Sequence, residues 1–360
     1  MIRIATATIL LLSLLVPLSA QEPGPDPYNV VDWMKPFSQE GFAWGSHPGV
    51  FIESDDRIFV VQRGEIALPD PVPPEFKNWV GSIGMSALRE TPVFRNCIFI
   101  VDSRGNLVET WTQWDHLFEN TNGPHKIRIS PYDPERRVWV VNERRHQIHV
   151  FSNDGEELLM ELGVAYEEGV DERHFGAPQD VAFLPDGSAL VADGIINSRV
   201  VKFDNNGNYV TAWGTRGDQE GQFNGVHAIA TDANGRVYVA DRNNDRVQIF
   251  DSNGGHLDTW GGLSFPNDIL ITVDQEVWVA DNQPPQMVKF DTDGNRLYSW
   301  MLNSGPHRFG EVHEFAIDSQ GAWYGADNVL GRSQKFVPKP GWVDRSLLMS
   351  QPVALIGNGR

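Results

Sequence analysis

The sequence predicts an all-β fold, a six-bladed β-propeller, and three observations carry that prediction. The chain repeats itself, its apolar residues alternate in short runs, and Asp-Gly or Asn-Gly turns separate those runs. Segments 176–214, 224–262 and 264–300 share one frame, and looser copies begin at 122 and 310. Within each copy, runs such as ALVAD and VYVAD alternate as strands do and pass into tight hairpins; helical periodicity is missing. Asp193, Asp241, Asp281 and Asp327 fall in register, 48, 40 and 46 residues apart, the length of one four-stranded blade. One blade cannot cover its own faces, so a ring that stacks each blade between two neighbours is the stable outcome.

A sixth copy lies upstream. Residues 47–64 supply two strands and 97–111 the next two, separated by a proline-rich insertion over 65–96. An insertion of that length predicts a functional loop over one mouth of the ring. FAWG at 42–45 resembles the Trp-Gly pairs that end a blade at Trp213 and Trp260, and the last copy runs out near 337. The expectation is a ring over 42–337 whose N-terminal strand completes the last blade, with an extension over 21–41 and a tail over 338–360. Without such closure two sheet edges would stay open.

Residues 1–20, MIRIATATILLLSLLVPLSA, have the single cation, short apolar stretch and small-residue exit of a secretory leader cleaved near Ala20. A secreted or periplasmic protein without a membrane anchor is expected, since no later stretch reaches the roughly 18–20 apolar residues of a membrane helix. Cys97 is the one cysteine, so no intrachain disulfide can form and packing alone must supply stability. A formal charge of −19 repels phosphate backbones and argues against nucleic-acid partners. The expected state is a monomer acting on a small carboxylate-bearing or peptide substrate.

One position in the repeat stands apart. At the start of each blade's first strand the slot reads His125, Gln179, His227, Asn267, His313, so histidine occupies every second blade. In a ring of six, alternate blades stand about 120 degrees apart and the innermost strands face the channel. Three imidazoles would then converge on the axis, the ligand set of a zinc site that keeps one position open for water or substrate. Spacings of 102 and 86 residues fit no short metal motif, so the signal exists only through the repeat. His146, His149, His174 and His307 lie outside the slot and are read as ordinary turn or surface residues.

These residues also carry a family likeness. VADRNNDRVQIFDSNG resembles the NHL repeat. PHKI, GVHAI and EVHEF on alternate blades, with VVQRG and ADRNNDR, resemble peptidyl-α-hydroxyglycine α-amidating lyase over residues 43–337. The resemblance implies a zinc ion on His125, His227 and His313 and a substrate carboxylate engaged by Arg63 and Arg242. It also implies a calcium ion on the axis, held by the carbonyls of Val50 and Ile127 and the carboxylate of Glu314. The reaction so implied is carbon–nitrogen cleavage releasing an amide and glyoxylate. In DGIINSR, however, Ile195 stands where that family has the tyrosine that accepts the hydroxyl proton. Isoleucine cannot move a proton, so either another group does so or the chain is a non-catalytic platform for protein or peptide binding.

Overall fold

A computed structural model describes residues 22–31, 33–35, 37–38, 40–71, 91–302, 309–342 and 344–355. Its core is six four-stranded antiparallel sheets, numbered here as blades I to VI in chain order. Their first, channel-facing strands are Gly49–Ser54, Ile127–Ile129, Pro178–Phe183, Val226–Thr231, Pro266–Ile271 and Val312–Ile317. The leader expected at 1–20 lies outside the described residues, as does the middle of the insertion, 72–90.

Second strands such as VWVV, ALVA and VYVA are apolar at nearly every position because both of their faces are covered. One face packs on the preceding blade and the other on the following one. The buried residues accordingly fall into six apolar clusters, one at each interface between blades. Between blades I and II, for example, Phe59, Ile98 and Trp111 meet Ile127, Val138 and Phe151. The third-to-fourth strand hairpins are tightened by an aspartate whose carboxylate accepts the N–H groups two and four residues on, as Asp251 does from Asn253 and Gly255. Gly254 in that turn has φ +90, and a Cβ there would lie 2.6 Å from the Trp213 ring. No other residue fits.

Ring closure occurs, but through a different segment from the one expected. Tyr28–Val31, assigned to the extension, forms the outer strand of blade VI and pairs antiparallel with Arg332–Pro338. Phe42–Trp44 instead pairs with Glu65–Ala67, in a small sheet at the base of the insertion. Trp44 is held there by Phe37 and Phe99, which explains its likeness to the blade-ending tryptophans without the same topology. The two ends of the insertion meet at a bridge between Glu65 and Val93, and Arg95 and Asn96 bind the buried Glu65 carboxylate. The tail also has a place. Leu348 and Met349 join the cluster between blades V and VI, and Pro352 bridges to Thr272.

The recurrent aspartates pin the loop that leads into each first strand. One oxygen of Asp193, Asp241, Asp281 and Asp327 accepts the N–H of Gly176, Asn224, Ser264 and Gly310 at 2.7–2.8 Å. Each of those residues lies three positions before the slot residue, so this contact sets the slot's height on the axis. In blades III and IV the other oxygen takes an arginine Nε, from Arg199 and Arg246. Blade V offers only the amide of Gln286. Burial without an ion pair pushes the Asp281 carboxyl up to about 7.

That shift makes stability depend on pH in a defined direction. An acid whose folded pKa exceeds its unfolded value of about 3.9 destabilises the fold as it ionises, so stability falls as pH rises through this window. Measured against Asp281→Asn, whose carboxamide keeps the Ser264 contact without ionising, the wild-type thermal midpoint is expected to lose ground steadily between pH 5 and pH 8. Parallel curves for the two proteins would refute this assignment.

Candidate metal centre

The slot residues reach the channel because each is the extra residue of a β-bulge. In blade IV Val226 pairs with Asp241 and Ala228 with Ala240, so His227 is skipped in the ladder. Blades III, V and VI skip Gln179, Asn267 and His313 in the same way. In blade II both His125 and Lys126 bond to Val141. A bulge places two successive side chains on the channel side, where a regular strand would send one of them outward.

The three imidazoles meet on the axis. Their ring centroids lie 4.6, 4.9 and 5.3 Å apart, and one nitrogen from each falls within 4.8 Å of the others. All three residues are at most 2% exposed. The Nδ1–H groups of His125, His227 and His313 donate to the carbonyls of Gln179, Asn267 and Pro48 at 2.7–2.8 Å. Gln179 and Asn267 are the slot residues of the intervening blades, and Pro48 immediately precedes the first strand of blade I. The alternate slots thus have a role of their own: their backbones fix the tautomer, leaving each Nε2 lone pair directed inward.

Burial and the neighbouring cations hold the three imidazoles well below their ordinary pKa, so they are neutral. Three neutral imidazoles with oriented lone pairs fit a divalent transition ion. Among the described residues they form the one cluster of this kind.

The other expected residues divide. Arg63 and Arg242 do reach the centre. Burial, the main cause, lowers both guanidinium pKa values, and the carboxylates of Glu143 and Glu311 act on both from nearby. Arg63 approaches Glu143 at 3.8 Å, while Arg242 lies over the Phe265 ring at 4.6 Å. Neither Nε has a hydrogen-bond partner among the described residues. Gly123 makes room for Arg63, since a Cβ there would meet the arginine's Cα at 2.9 Å. Ile195 is half-buried in the turn after the second strand of blade III. Of the three groups implied for calcium, the Glu314 carboxylate lies beside Val50 with both oxygens taken up by donors. The Glu314 carboxylate accepts the Val50 N–H at 2.8 Å on one oxygen and Arg128 on the other.

Two carboxylates at the centre escaped the sequence reading. Glu143 and Glu311 each stand 4.0 Å from an imidazole Nε2, those of His125 and His313. Glu143 holds the position in blade II that Arg242 holds in blade IV, so aligning VVNER with VADRN could have found it. His149 is buried against Phe118 and Glu161, His146 accepts the Ala177 N–H, and His174 pairs with Asp171. None of these joins the centre, and His307 lies outside the described residues.

Fold and site define an NHL-type six-bladed β-propeller with a trihistidine centre in its channel. Residues 223–250 match the NHL repeat family model. The chain is 33% identical over 161 residues to peptidyl-glycine α-amidating monooxygenase B of Xenopus laevis, covering 43% of this chain and 18% of that protein. It is 36% identical over 94 residues to peptidyl-α-hydroxyglycine α-amidating lyase 1 of Drosophila melanogaster, covering 25% of this chain and 16% of that one. The chain thus aligns with less than a fifth of the length of either relative. Virginiamycin B lyase of Staphylococcus aureus superposes with a TM-score of 0.50 at 11% identity, over 81% of this chain and 94% of that one, a likeness of fold alone. The protein is a six-bladed β-propeller with a repeat of the NHL type at 223–250, and its sequence is similar to peptidyl-α-hydroxyglycine α-amidating lyases.

Proposed function

We propose that this chain is an exported, metal-dependent carbon–nitrogen lyase that cleaves a small N-acyl-α-hydroxyglycine into an amide and glyoxylate. Similarity to amidating lyases supports the reaction class. One observation carries its location: three neutral imidazoles face a common point beside two half-buried arginines whose buried Nε atoms have no hydrogen-bond partner among the described residues.

Arg63 and Arg242 bind the substrate carboxylate, for which a planar fork of donors is suited, and hold the hydroxyl-bearing carbon toward the imidazoles. A divalent metal on His125, His227 and His313, with zinc the ion implied by the resemblance, would supply Lewis-acid polarisation of the hydroxyl. The O–H proton leaves, the carbon–nitrogen bond breaks with its electron pair passing to nitrogen, and the nitrogen gains a proton. The carbon keeps its oxygen as the aldehyde of glyoxylate. With Ile195 in place of a phenol, Glu143 and Glu311 are the acid groups beside the imidazoles that can carry that proton.

Zinc-loaded protein is expected to release glyoxylate and amide in equal amounts from an N-acyl-α-hydroxyglycine. Arg242→Ala should lower kcat/KM by ~10- to 100-fold, mostly through KM, as expected for a lost charge-assisted contact. Ile195 favours a second reading, a binding platform whose metal is structural. Absence of glyoxylate with zinc, iron and manganese alike would reject the lyase and leave the platform.

A further inference from the structure

We infer that the channel position beneath the trihistidine is filled by the chain's own cations, Lys126 and Arg128, and takes no calcium ion. The residues one step after the slot form a second layer: Gly49, Lys126, Asp180, Ala228, Asp268 and Glu314. Lys126 Nζ lies 3.1 Å from Asp180, 2.7 Å from Asp268 and 3.3 Å from the Asn267 carbonyl, with its side chain wholly buried. From the next position on the same face, Arg128 reaches Asp180 at 3.1 Å, Asp268 at 2.9 Å and Glu314. Three carboxylates therefore surround two cations fixed to one strand.

Each of the six carboxylate oxygens already has a donor. Beyond the two cations, Asp180 accepts the N–H groups of Val181 and Ile229, Asp268 that of Phe315, and Glu314 that of Val50. These backbone contacts lace each acid to the following blade, so the layer is a set of inter-blade clamps. Blade I contributes glycine here for a steric reason: a Cβ on Gly49 would stand 2.5 Å from the Glu314 carboxylate. A calcium ion needs six to eight oxygen ligands, and here the acid oxygens are committed to donors and two of the three acid charges are already balanced by the tethered cations. A tethered ammonium takes the place of a dissociable ion, and unlike such an ion it cannot be removed by a chelator.

The test uses the full chain, stripped of metal and then given calcium alone, zinc alone, or both. Calcium alone is expected to leave the thermal midpoint unchanged and to be absent from the protein after gel filtration. Zinc should raise the midpoint, and that arm reports on the trihistidine independently, because imidazole suits zinc and not calcium. Lys126→Met leaves three acids around one cation, and calcium is expected to raise its midpoint by at least ~3 °C. Should that variant fold poorly, refolding yield with and without calcium is read instead: a yield raised by calcium supports the inference, and equal yields overturn it. One calcium per wild-type chain, with a midpoint that rises on calcium addition, would also overturn it.

Discussion

Replacing His227 with alanine is expected to abolish metal retention while leaving the ring folded. The imidazole is one of three candidate ligands on the axis, and among the described residues no fourth histidine joins the cluster to substitute for it. Losing an outer partner of a metal ligand already costs ~10- to 100-fold in affinity, so losing the ligand itself should exceed ~100-fold. The fold should survive, because the bulge in blade IV is held by ladder bonds on either side of residue 227 and by Asp241 fixing Asn224. Metal analysis of wild type and His227→Ala after gel filtration reads the result directly. Equal metal in both proteins would end the case for this centre. If the lyase reading also holds, glyoxylate release should fall with metal content in the variant and should not be restored there by adding more substrate.

The parts of the centre legible in the sequence were those that the repeat multiplies. His125, His227 and His313 stand out because Gln179 and Asn267 occupy the same slot between them, and a frame shared by five copies gives that comparison meaning. Arg63 and Arg242 were legible through the family resemblance, and their place just after a second strand agreed with it. What the repeat does not multiply stayed hidden. A bulge leaves no mark in an alternation pattern, so nothing indicated that Lys126, next to a slot histidine, would also face the channel. The resemblance placed Glu314 on the axis as a calcium ligand, and only the fold brings Arg128 onto it from four blades away in the chain. Glu311 belongs to a loop whose direction is set by packing, and Glu143, in the turn after a second strand, shows only when that turn is aligned with the one holding Arg242. Closure of the ring misled for a different reason: four residues, YNVV, carry too little pattern to outweigh a Trp-Gly pair that imitates a blade end.

Tyr28→Ala should be the most damaging single change far from the centre. Tyr28 is 2% exposed, with its ring centroid 5.6 Å from that of Trp300 in blade V and 6.3 Å from that of Trp323 in blade VI. Its hydroxyl accepts the N–H of Met349 at 2.8 Å, so one side chain fastens the closing strand, two blades and the tail. Truncating a buried aromatic costs ~3–5 kcal/mol, and the orphaned Met349 N–H falls within the same range of effects. For a domain of this size that lowers the thermal midpoint by on the order of 10 °C. Tyr28→Phe keeps the packing and removes one hydrogen bond, so its cost should be about 1 kcal/mol. Phe42→Ala, in the segment that imitates a closing strand, removes a half-buried ring from a three-residue sheet and should shift the midpoint far less. The order of the three midpoints locates the closure: a Phe42 variant weaker than the Tyr28 variant would mean that the ring is sealed at residue 42, because the seal is the contact whose loss frees two sheet edges at once.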